Sequence, residues 1–85
     1  MNYLENITMN FIGYLSQLDS ELVKLGYFSE YEYISTCQDD LKEYKNIVYT
    51  DMRNTSNHIT IEFEILEDDP DYGDLWINVT NLFYN

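Results

Sequence analysis

This sequence predicts an α+β fold: a long N-terminal amphipathic helix and a shorter second helix, packed on a small antiparallel sheet of two to three strands. Two patterns carry most of that expectation. Residues 2–26 repeat apolar side chains at steps of three and four, whereas residues 58–66 and 75–84 alternate apolar and polar side chains. The third observation is length. The chain has 85 residues, 45% of them hydrophobic, enough for a single compact domain spanning residues 1–85, because domains typically need about 50 residues or more. A chain of this size buries only about 60–65% of its unfolded surface, which leaves little room for a deep pocket beside the core.

In the first segment Leu4, Ile7, Phe11, Tyr14 or Leu15, Leu18, Leu22 and Leu25 share one helical stripe. Asn6, Asn10, Gln17, Asp19, Glu21 and Lys24 lie opposite. Asn2 suits the N-cap, with Glu5 three residues on, and Gly26 suits the left-handed position after the last turn. Gly13 is the weak point: it costs about 1 kcal/mol relative to Ala inside a helix, and marks a kink or a close contact with another element. Residues 27–34 read either as a short strand or as a tight connection. A second helix is expected over about residues 37–46, N-capped by Ser35 and Thr36 with Asp39 at N3 and anchored by Leu41 and Tyr44. Asp39 and Asp40 fall in its first turn, where they favour the helix dipole.

From residue 47 the period becomes two. Residues 47–52 are rich in strand formers and residues 54–57 read as a turn. Ile59, Ile61, Phe63 and Ile65 then face the core, with Thr60, Glu62 and Glu64 outward. In the last strand Leu75, Ile77, Val79 and Phe83 face inward, with Trp76, Asn78 and Thr80 outward. Residues 67–74, EDDPDYGD, form the loop that joins the two strands into an antiparallel hairpin. A lone hairpin is marginal, so residues 47–52 and the long helix complete the structure.

Sixteen Asp plus Glu against four Lys plus Arg leave a formal charge of -12. This excludes direct binding to DNA, RNA or an anionic membrane, ligands that are held through Lys and Arg. No apolar run approaches the roughly 20 residues of a bilayer span. The opening MNYLENITMNFIGYL has no basic stretch ahead of an apolar one, so a cytoplasmic protein is expected, in the host bacterial cytoplasm if phage-encoded. Three Asn-x-Ser/Thr sequons, at Asn6, Asn54 and Asn78, read as accidents of an Asn-rich composition.

Chemistry-bearing residues are few. Cys37 is the only cysteine and reads as a small buried hydrophobe, His58 is the only histidine and reads as a surface or turn residue, and the two lie on separate elements. There is no P-loop, GxSxG, HExxH or paired CxxC. The expectation is a protein that is not an enzyme, with no catalytic residues and no cofactor. The acids of residues 67–74 are of the type that binds calcium. Gly73, however, stands where a third acid would follow Asp69 and Asp71, and no Glu closes the loop, so no metal is expected.

The distribution of charge is more telling. From residue 54 to residue 85 there are seven acids and no Lys or Arg. Such self-repulsion destabilises a compact state, and solubility alone is served by a net charge of about 2 to 8 in magnitude. Glu62 and Glu64 project from one strand face about 6.6 Å apart, on the scale of neighbouring phosphates. The expected partner-binding surface is therefore Glu62, Glu64, Glu67, Asp68, Asp69, Asp71, Asp74 and Trp76, with Asp39, Asp40 and Glu43 on the second helix as a further acidic patch. Thr60, Asn78, Thr80 and surface tyrosines add hydrogen bonds and aromatic anchors.

In size, charge and aromatic content the chain resembles the acidic anti-defence proteins of bacteriophages, among them anti-CRISPR and anti-restriction inhibitors and DNA mimics. That resemblance implies an inhibitor that occupies the basic nucleic-acid-binding surface of a nuclease, a Cas effector or a restriction effector and blocks access of DNA or RNA. An immunity protein that neutralises a cognate toxic nuclease has the same size and acidity. A small adaptor that homodimerises through the helix stripe or exposed aromatics accounts for the Tyr content and leaves the charge unused.

Overall fold

The computed structural model describes residues 3–31 and 33–84. Five antiparallel strands form one sheet: β1 (Ile12–Tyr14), β2 (Tyr27–Ser29), β3 (Asn46–Asp51), β4 (Asn54–Asp69) and β5 (Asp74–Tyr84), in the order β1-β5-β4-β3-β2. Three short helices accompany them, α1 (Tyr3–Thr8), α2 (Leu15–Lys24) and α3 (Gln38–Tyr44), with one 3-10 turn at Ile34–Thr36. This corrects the expected architecture of a long N-terminal helix on a sheet of two to three strands.

The predicted long helix fails at its middle. Asn10 turns left-handed with φ 64°, and Gly13 pairs with Ile77 at the sheet edge instead of completing a helical turn. A Cβ on Gly13 would stand 3.0 Å from the Phe11 ring and 3.2 Å from Gln17 Oε1, so a larger residue there would have to displace those two side chains. The stripe itself is nonetheless buried: Leu4 belongs to α1 and Leu15, Leu18 and Leu22 to α2, and all four lie in the core. Helical periodicity was preserved across a break that periodicity alone does not reveal. The expected cap Asn2 lies outside the described residues. Residues 27–34 divide between edge strand β2 and the 3-10 turn.

The second helix forms near its expected place but is capped differently. Ser35 and Thr36 belong to the 3-10 turn, where Thr36 Oγ1 donates to the Tyr33 carbonyl at 2.9 Å, and Cys37 becomes the N-cap. Lys45 closes the helix in a left-handed conformation. The chain then reverses at Met52 and Arg53, between Asp51 and its partner Asn54, rather than over residues 54–57. The next pair is Thr50 with His58, so residues 55–57 bulge out of β4, with Ser56 N–H bonded to Asn54 Oδ1.

Two further bulges set the faces of the central hairpin. Glu62 pairs with Asn81 but Phe63 with Val79, which leaves Thr80 as an extra residue on β5. Beyond it the alternation is reversed. Leu82 packs against the core and Phe83, 43% exposed, turns to the opposite face, which corrects the expected inward Phe83. On β4 the extra residue is Leu66, because Ile65 pairs with Ile77 and Glu67 with Trp76. The predicted loop contracts accordingly to residues 70–73, since residues 67–69 extend β4 and Asp74 begins β5.

All three helices lie on one face of the sheet. Leu4, Leu15, Leu18, Leu22 and Leu41 pack there against Ile47, Tyr49, Ile59, Ile61, Phe63, Leu75, Ile77 and Val79. Tyr49 is fully buried, and its hydroxyl crosses the layer to donate to Asp19 Oδ1 on α2 at 2.5 Å. Gly73 (φ 65°) closes the β4–β5 turn against the 3-10 segment, where an added Cβ would meet Ser35 Cβ at 2.9 Å. Helices therefore cover one face, and the other is open.

Burial pushes the Tyr49 hydroxyl pKa up, with the Asp19 hydrogen bond and charge adding to it, and burial raises the Cys37 thiol to about 11. The unfolded chain releases these protons at about pH 8.5 to 10, while the folded chain still holds them. Their contribution to stability is therefore complete below about pH 8.5 and is lost as the pH rises through the folded-state values. Urea melts between pH 8 and 11 should show a fall in stability that begins at about pH 8.5; Cys37→Ala should remove the part below about pH 10 and Tyr49→Phe should lessen the part above it, and a level profile in the wild type would contradict the burial of these groups.

Candidate functional site

The burial pattern of the central strands fixes the direction of the acids. Because Ile61, Phe63, Ile77 and Val79 are drawn into the core, Glu62, Glu64, Trp76 and Asn78 point to the open face. Three rows cross that face. Glu62 stands between Asn46 and Asn81, Glu64 beside Asn78 and Ile12, and Glu67 beside Trp76 and Tyr14. Without the Leu66 bulge Glu67 would be out of phase with Glu62 and Glu64. With it, three carboxylates follow one strand through the middle of a five-stranded face.

Side chains around this line are ordered by few contacts. Asn78 Nδ2 donates to Glu64 Oε1 at 3.2 Å. The Tyr14 and Trp76 rings meet edge to face, with centroids 4.8 Å apart and planes at 86°. Tyr14 also donates its hydroxyl to Asp69 Oδ2 at 2.9 Å, a bond that pushes the hydroxyl pKa up. None of the four basic residues lies on the open face: Lys24 is on α2, Lys42 on α3, Lys45 at its end, and Arg53 at the β3–β4 turn beside Asp51.

The other predicted acids are distributed elsewhere. Asp68 faces the helix layer and pairs with Lys42 Nζ at 2.7 Å; this hydrogen bond is the main reason the Lys42 pKa is held above its ordinary value. Asp71 is exposed in the turn. Asp74 is 8% exposed and serves the fold. Its carboxylate accepts the Ser16 N–H at 3.3 Å, the Leu75 N–H at 2.9 Å and the Ser16 hydroxyl, satisfying the first turn of α2 from a neighbouring strand. Asp39, Asp40 and Glu43 are exposed on α3, on the helix side of the sheet, so they form a separate patch. The acids of the turn region thus bond to three different partners, Lys42, Tyr14 and Ser16, and do not converge on one point.

Cys37 and His58 are separated by the sheet. Cys37 is in the core, its thiol bonded to the Ile34 carbonyl at 3.3 Å, while His58 lies on the open face with Nδ1 3.0 Å from Thr50 Oγ1. Sequence reasoning missed the apolar members of the open face, Ile12, Phe28, Val48 and Phe83, all of them exposed. Val48 was detectable, since Ile47 and Tyr49 on either side alternate with it; Phe83 was hidden by the bulge at Thr80. Among the described residues no helix is long and apolar enough to cross a membrane. No protein family, curated protein or solved structure matches this chain.

These placements separate acids that maintain the fold from acids that strain it. Glu62→Gln, Glu64→Gln and Glu67→Gln together remove three repelling charges and no core contact, so the urea unfolding free energy should be unchanged or rise by a few tenths of a kcal/mol. Asp74→Ala leaves Ser16 and Leu75 donors unpaired and should cost about 2–3 kcal/mol. The reverse ranking would refute the division.

Proposed function

We propose that this chain is a small acidic inhibitor that binds the basic nucleic-acid-binding surface of another protein, a nuclease or defence effector, and keeps DNA or RNA from it. The observation that carries the reading is the line of Glu62, Glu64 and Glu67 along the central strand of a face without Lys or Arg. Successive acids on that strand rise about 6.6 Å per pair of residues. A groove that accepts a phosphate backbone presents Lys and Arg at comparable intervals, and a rigid strand holds carboxylates against them without ordering a loop.

Around the carboxylates lie groups that add contact area and specificity. Trp76 and Tyr14 flank Glu67, Asn78 and Asn81 offer amides, and Phe83 and Val48 supply apolar surface on the neighbouring strands. Exposed ion pairs contribute little singly, but a set desolvated together at an interface contributes more and accelerates encounter. The excess charge of the chain then has a use that solubility does not require.

A charge-reversal pair tests the face rather than the net charge. Glu62→Lys, Glu64→Lys and Glu67→Lys should weaken binding to a nuclease or other nucleic-acid-binding protein captured from the host by about a hundredfold, close to 1 kcal/mol per site. Asp39→Lys, Asp40→Lys and Glu43→Lys make the same change in net charge on the helix side, and should weaken it far less. Equal losses in the two variants would reduce the reading to bulk charge, and retention of binding by the first would refute it.

A further inference from the structure

The open face is asymmetric about its line of carboxylates. β3 begins at Asn46, opposite Glu62, so among the described residues Glu64 and Glu67 have strand neighbours only toward β5 and β1. Those neighbours carry no charge: Asn78 and Ile12 stand beside Glu64, and Trp76 and Tyr14 beside Glu67. No second acidic row accompanies the first, because among the described residues the open-face positions of the other four strands hold no Asp or Glu.

Spacing across the face separates the two ligands that such a surface could imitate. Neighbouring strands lie about 4.8 Å apart, which puts Ile12 and Tyr14 about 10 Å from the carboxylate strand. A duplex borders its grooves, about 6 and 12 Å wide, with phosphates on both sides. Here the far side is an aliphatic and an aromatic side chain. A single strand has the observed layout, with phosphates along one margin and, to one side of them, flat rings and hydrogen-bonding edges. Trp76 and Tyr14 supply the rings, in edge-to-face contact at 4.8 Å, while Asn78 and Asn81 supply amides that both donate and accept.

We infer that the partner surface is a groove that binds single-stranded nucleic acid, and that this face enters it as a strand does. Its carboxylates meet the cations that hold phosphates, and Trp76 meets an aromatic platform that holds a base. The inference rests on the inhibitor reading and narrows it to one class of target. Grooves of this class combine a basic track with aromatic side chains, and stacking on those side chains tolerates any flat ring. A duplex-binding surface offers cations and reads the edges of base pairs, so it has no counterpart for Trp76. Asp69, bonded to the Tyr14 hydroxyl, extends the row of Glu62, Glu64 and Glu67 to four acids. That row is as long as the smallest such sites, about four nucleotides.

Displacement at low salt tests this with defined partners: a single-strand-binding OB-fold protein holding labelled oligo(dT), and a helix-turn-helix repressor holding its labelled duplex operator. The full chain should release oligo(dT) at a concentration about tenfold or more below that needed to release the operator. Trp76→Ala should raise the first concentration about tenfold, whereas Tyr44→Ala, which removes an exposed aromatic on α3, should not. Trp76 is the only tryptophan, so fluorotryptophan labelling gives a single fluorine signal, a readout that needs no substitution. That signal should shift when the single-strand-binding protein is added. Release of the operator at equal or lower concentration, a Trp76→Ala chain as potent as the wild type, or an unmoved fluorine signal would overturn the inference and leave the inhibitor reading standing. Release of neither nucleic acid would overturn both.

Discussion

Burial of one face of the β4–β5 hairpin is the constraint from which the rest of this structure follows. Ile61, Phe63, Leu75, Ile77 and Val79 leave water together, and each commits its neighbour to the opposite side because strand side chains alternate. The direction of Glu62 and Glu64 is therefore a consequence of core packing, and no separate interaction is needed to hold them outward. A change of register by one residue would exchange the acids for the core, at a cost no folded state of this size could bear. The hydrophobic effect thus positions the charged face with the same precision as the core.

Polar ties fix the helix layer over that core. Asp74 reaches from the start of β5 to the first turn of α2, and Tyr49 reaches from β3 to Asp19 further along the same helix. The two contacts hold α2 from strands on either side of β4. Gly73 lets the hairpin turn close against the segment before α3, and Lys42 joins α3 to β4 through Asp68. Of the acids, Asp74 and Asp19 are used inside the structure, while Glu62, Glu64 and Glu67 are left facing solvent with only slight engagement.

Much of this was legible in the sequence, and what was hidden has physical causes. Period-two alternation located β4 and β5 and gave the outward direction of Glu62, Glu64, Trp76 and Asn78, because alternation reports burial directly. The helical stripe likewise marked residues that are buried, but it could not show that Asn10 and Gly13 interrupt the helix, since β1 exists only through pairing with β5. Bulges at Thr80 and Leu66 are set by the match between strands, so the inward turn of Leu82 and the outward turn of Phe83 were not readable locally. The same holds for Asp74. Nothing near it in sequence distinguishes it from Asp71, and only the approach of Ser16 from 58 positions away makes it a buried cap.

A line of carboxylates on a rigid face, maintained against self-repulsion, gives the excess charge a specific location. The most direct measurement is shift mapping of the isotope-labelled chain on titration with a basic nucleic-acid-binding protein of the proposed class. If the carboxylate line is the binding surface, the changes gather on the open face, at Thr60, Glu62, Glu64, Glu67, Trp76 and Asn78, and fade as salt is added. Changes centred on α3 at Asp39, Asp40 and Glu43, or spread evenly over the surface, would contradict it.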